Sequence, residues 1–181
     1  MNVFVLSIFI VTVVSQGLDL SKFRQHEYQF IIERADILHY DKRYMNYAKV
    51  TPFKCNRTNV ALNGTFNFKI NAGSELVVMI QFYRFASNEY RLFSVRFQDE
   101  FCKFLEENVA GVQKLLNCGD FAGCPVVSNT NITLCNFIPD DSKFPPLIPS
   151  GSYRLNLHAL YFDKELYVME LYAKITRPEV K

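Results

Sequence analysis

The sequence predicts an all-β chain, an antiparallel sandwich or open barrel with one short amphipathic helix. Three observations lead there. Apolar and polar residues alternate at a period of two over several segments, which places them on opposite faces of strands. Pairs of such segments are joined by short turns, as in hairpins. A single stretch, Glu100 to Asn117, repeats at helical spacing instead.

The elements follow in order. Residues Val3 to Val14 form an apolar run broken only by Ser7 and Thr12, and the first charged side chain is Asp19. That length is too short to span a bilayer but suits a signal-peptide core, with small residues following at Ser15 and Gly17. Residues 1–16 are therefore expected to be a signal peptide, and residues 17–181 a single domain, in keeping with roughly 100–200 residues per domain. No later stretch is long and apolar enough for a transmembrane anchor.

Phe66, Phe68 and Ile70 alternate with Thr65, Asn67 and Lys69, so the rings share one face and the polar groups the other. Asn63 has the polar parity. Glu75 to Phe85 is apolar on both parities, the pattern of a central strand covered on both faces. Ser87-Asn88-Glu89 then turns the chain, and Phe93, Val95 and Phe97 return on one side of the next strand.

In the predicted helix, Phe101, Phe104, Leu105, Val109, Val112, Leu115 and Leu116 form the apolar stripe and Lys103, Glu106, Glu107 and Lys114 the polar one. Asp99 is the candidate N-cap, and Gly119 can end the helix in a left-handed conformation. The stripe reads as core packing. From Gly123 to Gly151 the texture changes, with five of the seven prolines, so this is an irregular connection holding at most one edge strand. A last hairpin runs from Tyr153, Leu155, Leu157 and Tyr161 through a turn at Asp163-Lys164 to Met169, Leu171, Ala173 and Ile175.

Composition removes several functions. The net charge is +2, without the basic excess of a nucleic-acid binder. The three His (His26, His39, His158) lack any nucleophile motif such as Gly-x-Ser-x-Gly nearby, and they read as solvated or locally bonded. Asp140-Asp141 and Glu106-Glu107 are sequence neighbours that need not face each other. Gly is scarce, and no phosphate-cradling loop is visible. No catalytic residue, metal site or cofactor is assigned, and the expectation is a non-enzymatic protein.

Secretion is supported from two further directions. Three sequons place candidate glycans at Asn56, Asn63 and Asn131. All five cysteines (Cys55, Cys102, Cys118, Cys124, Cys135) lie beyond the leader, where an oxidising compartment favours disulfides. An odd count leaves one thiol over, and the spacing leaves the connectivity open. Zinc is the weaker reading, since there is no Cys-x-x-Cys and the His are distant in sequence.

The chain holds 17 Phe and no Trp. Phe66, Phe68, Val78, Ile80, Phe82, Phe93, Val95, Phe97, Leu155, Leu157, Leu171 and Ile175 are the inward candidates. If the sheets close fully, these residues are packed core. If the sheets splay, the same side chains line a pocket for an apolar small molecule or lipid. The mouth is then expected near the Pro-rich connection and the helix, and no charged residue is assigned to a ligand headgroup. The rival is an extracellular interaction module with a solid core, binding a receptor or another extracellular protein.

Phe101-Cys102-Lys103-Phe104-Leu105, then Cys124-Pro125, then Pro149-Ser150-Gly151-Ser152-Tyr153-Arg154-Leu155 together resemble a large insect family of secreted proteins that includes the CheB chemosensory proteins. That family is similar, distantly, to the ganglioside activator protein and the ML lipid-recognition domains. The resemblance covers roughly residues 30 to 176. It implies an immunoglobulin-like sandwich whose sheets splay to hold a lipid, and a Cys102–Cys124 bridge. Ala35 stands where the family carries an earlier cysteine, which leaves Cys55 unpaired; Cys118 and Cys135 are additions that can pair with each other. A pheromone or cuticular lipid is the ligand this resemblance implies.

Overall fold

The computed structural model describes residues 24–55 and 59–178. The expected signal peptide and the Asn56 sequon lie outside the described residues.

Among the described residues, eight strands make two antiparallel sheets. In chain order they are β1 (Gln29–Tyr40), β2 (Met45–Lys54), β3 (Val60–Phe68), β4 (Leu76–Ala86), β5 (Glu89–Glu100), β6 (Asn131–Phe137), β7 (Gly151–Tyr161) and β8 (Lys164–Thr176). The larger sheet has the order β1-β8-β7-β4-β5 and the smaller β2-β3-β6. The fold is thus an antiparallel β-sandwich with short helical segments, of the immunoglobulin-like kind.

Both hairpin turns have a local cause. Ser87 and Asn88 (φ 53° and 65°) connect β4 to β5, and Phe162 and Asp163 (φ 46° and 62°) connect β7 to β8. Two consecutive left-handed residues give the turn whose twist matches the flanking strands. The second turn therefore sits one residue earlier than the sequence indicates, because Lys164 already pairs with Tyr161.

The inward faces meet in two contiguous apolar clusters. Phe82, Phe97, Leu155, Leu171 and Ile175 belong to one, and Phe66, Phe68, Leu76 and Ile132 to the other. Ala35, at the position of the missing cysteine, is completely buried opposite Leu171.

Four sequence expectations are corrected. The continuous helix Glu100–Asn117 is replaced by a six-residue helix, α1 (Phe101–Glu106), and a 3-10 segment, Val109–Asn117. The chain breaks between them because Asn108, Ala110 and Gly111 take left-handed conformations (φ 52°, 50° and 79°). The Asn108 side chain stabilises the break by accepting from the Gln113 amide at 3.0 Å, competing with helical bonding. Asp99 does not cap α1. It ends within β5, and Glu100 occupies the cap position without a side-chain bond; Asp99 instead pairs with Lys103 Nζ at 2.6 Å.

β4 is an interior strand of its sheet, between β7 and β5, but is not covered evenly on both faces. Leu76, Val78 and Phe82 are buried inward, whereas Val77, Met79 and Tyr83 are half-buried and Phe85 is exposed. Neighbouring long side chains shield this outer face: Arg154 lies over the Tyr83 ring at 4.4 Å, and Phe85 packs on Tyr90 at 5.1 Å. Asn67 does face away from the core, yet it is buried at 6 % exposure beneath a network of asparagines. Gly119 is left-handed as expected (φ 76°), and a Cβ there would stand 2.7 Å from Thr133 Oγ1.

Candidate functional site: an apolar cavity between the sheets

The two sheets do not close on each other completely. A cavity of about 210 Å³ lies between them. It is larger than the ~150 Å³ apolar cavity that suffices to bind benzene in an engineered protein.

The strands supply its walls. Phe66, Phe68, Val78, Ile80, Phe82, Phe97, Leu155, Leu157 and Leu171, all inward candidates from the alternation pattern, line the cavity. Three other candidates do not. Phe93 and Val95 pack against the core cluster beside it, and Ile175 is part of that cluster. Phe93 meets the Tyr153 ring edge-on at 5.7 Å, and Tyr153, fully buried, donates its hydroxyl to the Pro149 carbonyl at 2.8 Å. These three residues belong to the packed core beside the void.

The helical stripe reads as core, and Phe104, Leu105, Val109 and Leu115 are buried in the two core clusters; the same segment also forms one wall of the cavity. Phe101, Phe104, Val109, Ala110, Val112 and Leu115 all face the cavity. Two disulfides hold this segment over the gap. Cys102, at the start of α1, is bonded to Cys124, with Cα atoms 5.7 Å apart. Cys118, at the end of the 3-10 segment, is bonded to Cys135 in β6, with Cα atoms 6.0 Å apart. Cys55 lies just beyond β2, free and exposed. Together the bridges anchor both ends of the segment, one to the Cys-Pro loop and one to the smaller sheet.

Sequence reasoning missed several lining residues from other elements, among them Phe30 of β1, Leu62 of β3, Leu134 and Phe137 of β6, and Tyr167 and Met169 of β8. Tyr167 stacks on Phe66 with ring centroids 5.0 Å apart, and burial pushes its phenol pKa well above the ordinary tyrosine value. Period two places Met169 inward with Leu171, so that signal was present. For Phe30 and Leu62 the β1 and β2–β3 segments carried a weaker alternation.

One end of the cavity is walled by Pro139, Lys143, Phe144 and Pro145 of the proline-rich connection. This connection is pinned to the strands. Phe30 N–H donates to Asp141 Oδ2 at 2.8 Å, Gln25 Nε2 to the Asp141 carbonyl at 2.6 Å, and the Tyr28 hydroxyl to the Pro145 carbonyl at 2.6 Å. Burial, and secondarily the Asp141 charge, raise the Tyr28 pKa.

Away from the cavity, Glu165 bridges two imidazoles, with Oε1 2.7 Å from His39 Nε2 and Oε2 2.6 Å from His158 Nδ1. His26 is exposed. Among the described residues no group of three His, Cys, Asp or Glu side chains is placed to hold a metal ion, and no helix is long and apolar enough to cross a membrane. The candidate glycan sites Asn63 and Asn131 lie on β3 and β6 of the smaller sheet; Asn63 is exposed and Asn131 half-buried.

Comparison with known proteins gives three findings. No curated protein matches this chain in sequence. Among solved structures, a Niemann-Pick type C2 protein from the Japanese carpenter ant is similar at 10% identity, with a TM-score of 0.40, over 78% of this chain and 98% of that one. A family model described as "Protein of unknown function (DUF1091)" matches residues 77–155, the stretch from β4 into β7 that carries α1, both disulfides and the proline-rich connection.

Proposed function

We propose that this protein is a secreted, non-enzymatic binding protein for a lipid or another apolar small ligand. The observation that carries the reading is the cavity itself: a void of about 210 Å³ walled by Phe, Leu, Val and Ile from both sheets and from the disulfide-held helical segment. Protein interiors are ordinarily close-packed, and a void left in an apolar core forfeits contacts that a tighter sequence would recover. A ligand restores them. Burying its hydrocarbon contributes on the order of 0.8 kcal/mol per methylene. The alternative, an extracellular interaction module with a solid core, gives this cavity no role.

Secretion rests on the leader, the sequons and the bridged cysteines. An insect-type chemosensory setting, with a pheromone or cuticular lipid as ligand and a receptor or other extracellular protein as partner, rests on the resemblance of the Phe-Cys, Cys-Pro and Pro-x-Gly-x-Tyr segments.

The test is direct. Protein purified from the medium of expressing cells is extracted with organic solvent and the extract analysed by mass spectrometry, and a fluorescent fatty acid is titrated and then displaced. A stoichiometric co-purifying lipid, or saturable displaceable fluorescence, is expected. Absence of both would overturn the reading.

A further inference from the structure

Among the described residues that line the cavity, Lys143 is the one with a charged side chain. We propose that Lys143 is the headgroup anchor of the site and that the ligand is a long-chain monocarboxylate, its hydrocarbon among the Phe side chains and its carboxylate at the Lys143 ammonium. This rests on the reading of the cavity as a ligand site and specifies the ligand's polar end.

The geometry leaves the ammonium available. Its side chain is only 19 % exposed, and Nζ donates to the Asn108 carbonyl at 3.1 Å. Asp140 Oδ2 stands 3.9 Å away, an ion pair beyond hydrogen-bonding distance, while Asp140 Oδ1 accepts from the Ser142 hydroxyl at 2.6 Å. A lysine ammonium has three donors. A charged donor held partly out of water and incompletely bonded gains most from an ionised acceptor, because charge-assisted bonds are shorter and stronger than neutral ones.

The surroundings fit a single negative charge. Lys114, exposed on the 3-10 segment, reaches across to the same connection and donates to the Ile138 carbonyl at 3.2 Å. Asp141 is committed to the Phe30 amide. Asp140, whose carboxylate stands 3.9 Å from the ammonium, disfavours a headgroup of higher negative charge by repulsion. The anchor is also held in place. The connection bearing Lys143 is fixed by Gln25, Tyr28 and Phe30, so little order is lost when the ligand arrives.

The experiment compares dodecanoate with methyl dodecanoate, two probes with the same alkyl chain of which only one is charged, on the full chain stripped of co-purifying lipid. Wild-type protein is expected to bind the acid at least tenfold more tightly than the ester, the size of effect that one charge-assisted hydrogen bond gives. K143M should lose about that tenfold for the acid and keep its affinity for the ester, and K143R should retain the preference. Equal binding of acid and ester by the wild type, which needs no variant to fold, overturns the anchor and leaves the cavity reading intact. So does K143M if it weakens both probes alike. Failure of both probes to bind overturns the cavity reading and the anchor together.

Discussion

Asn67 of β3 and Asn131 of β6 stand directly opposite each other across the strand pair, and the Asn67 amide donates to Asn131 Oδ1 at 2.7 Å. The same amide nitrogen donates to the Asn129 carbonyl at 3.0 Å, Asn46 donates to Asn67 Oδ1 at 2.6 Å, and the Tyr47 hydroxyl donates to Asn131 Oδ1 at 2.6 Å. Asn67 is thereby buried and satisfied on both ends of its amide. Replacing it by alanine strands those partners, at a cost of about 1–3 kcal/mol. Urea unfolding of Asn67→Ala should show a midpoint lowered accordingly with an unchanged slope.

The bridges have distinct expected behaviour. Non-reducing peptide mapping should recover Cys102 joined to Cys124 and Cys118 to Cys135, while iodoacetamide labels Cys55 on the folded protein. Cys118 and Cys135 are 17 residues apart, a loop for which chain entropy gives about 3 kcal/mol of stabilisation. The double replacement Cys118→Ala and Cys135→Ala should lose roughly that amount in denaturant unfolding. It should also weaken ligand binding, because the segment bearing Val109, Val112 and Leu115 is then tethered at one end only.

Filling the void separates a cavity from a solid core. Leu157 lines it from β7 and is half-buried. In a close-packed core, a substitution to tryptophan costs about 1–3 kcal/mol through strain. Here the larger ring has empty space to occupy. Leu157→Trp should unfold within about 1 kcal/mol of wild type and bind the fluorescent fatty acid at least tenfold more weakly, read by thermal unfolding and titration side by side.

Tyr167 sets an alkaline limit. Burial raises its phenol pKa above the unfolded value, which is about 10. The folded state therefore holds its proton where the unfolded state releases it, and stability falls with rising pH in that range. The contribution is fully present below about pH 10 and is lost progressively above it. Tyr28 and Tyr153 are raised in the same direction by burial, so Tyr167→Phe should reduce the alkaline loss without abolishing it. Urea midpoints measured on either side of that pH would show a shallower decline in the variant and no reduction if the phenol is solvated.

On the strands with a clear alternation, the sequence by itself indicated which residues face inward, because a pleated strand alternates its side chains by covalent geometry alone. Phe66, Phe68, Val78, Phe82 and Leu155 all obey it. It also marked both hairpins, through residues that tolerate a left-handed turn at Ser87-Asn88 and through the polar break at Asp163. It did not determine the end of the predicted helix, since Asn108 prefers to bond locally and tertiary contacts reward the break. For instance, Gly111 packs with its Cβ position 3.1 Å from the Asp140 Cβ. Nor did it identify Lys143 as a lining residue, because that position depends on an irregular connection reaching Asn108, 35 residues earlier. Above all, periodicity says which face a side chain is on and nothing about how far that face lies from the opposite sheet. Whether the Phe residues pack solidly or enclose a space was decided by the tertiary structure, where the disulfide-held segment, bridged to the Cys-Pro loop and to β6, walls a gap that the two sheets leave between them.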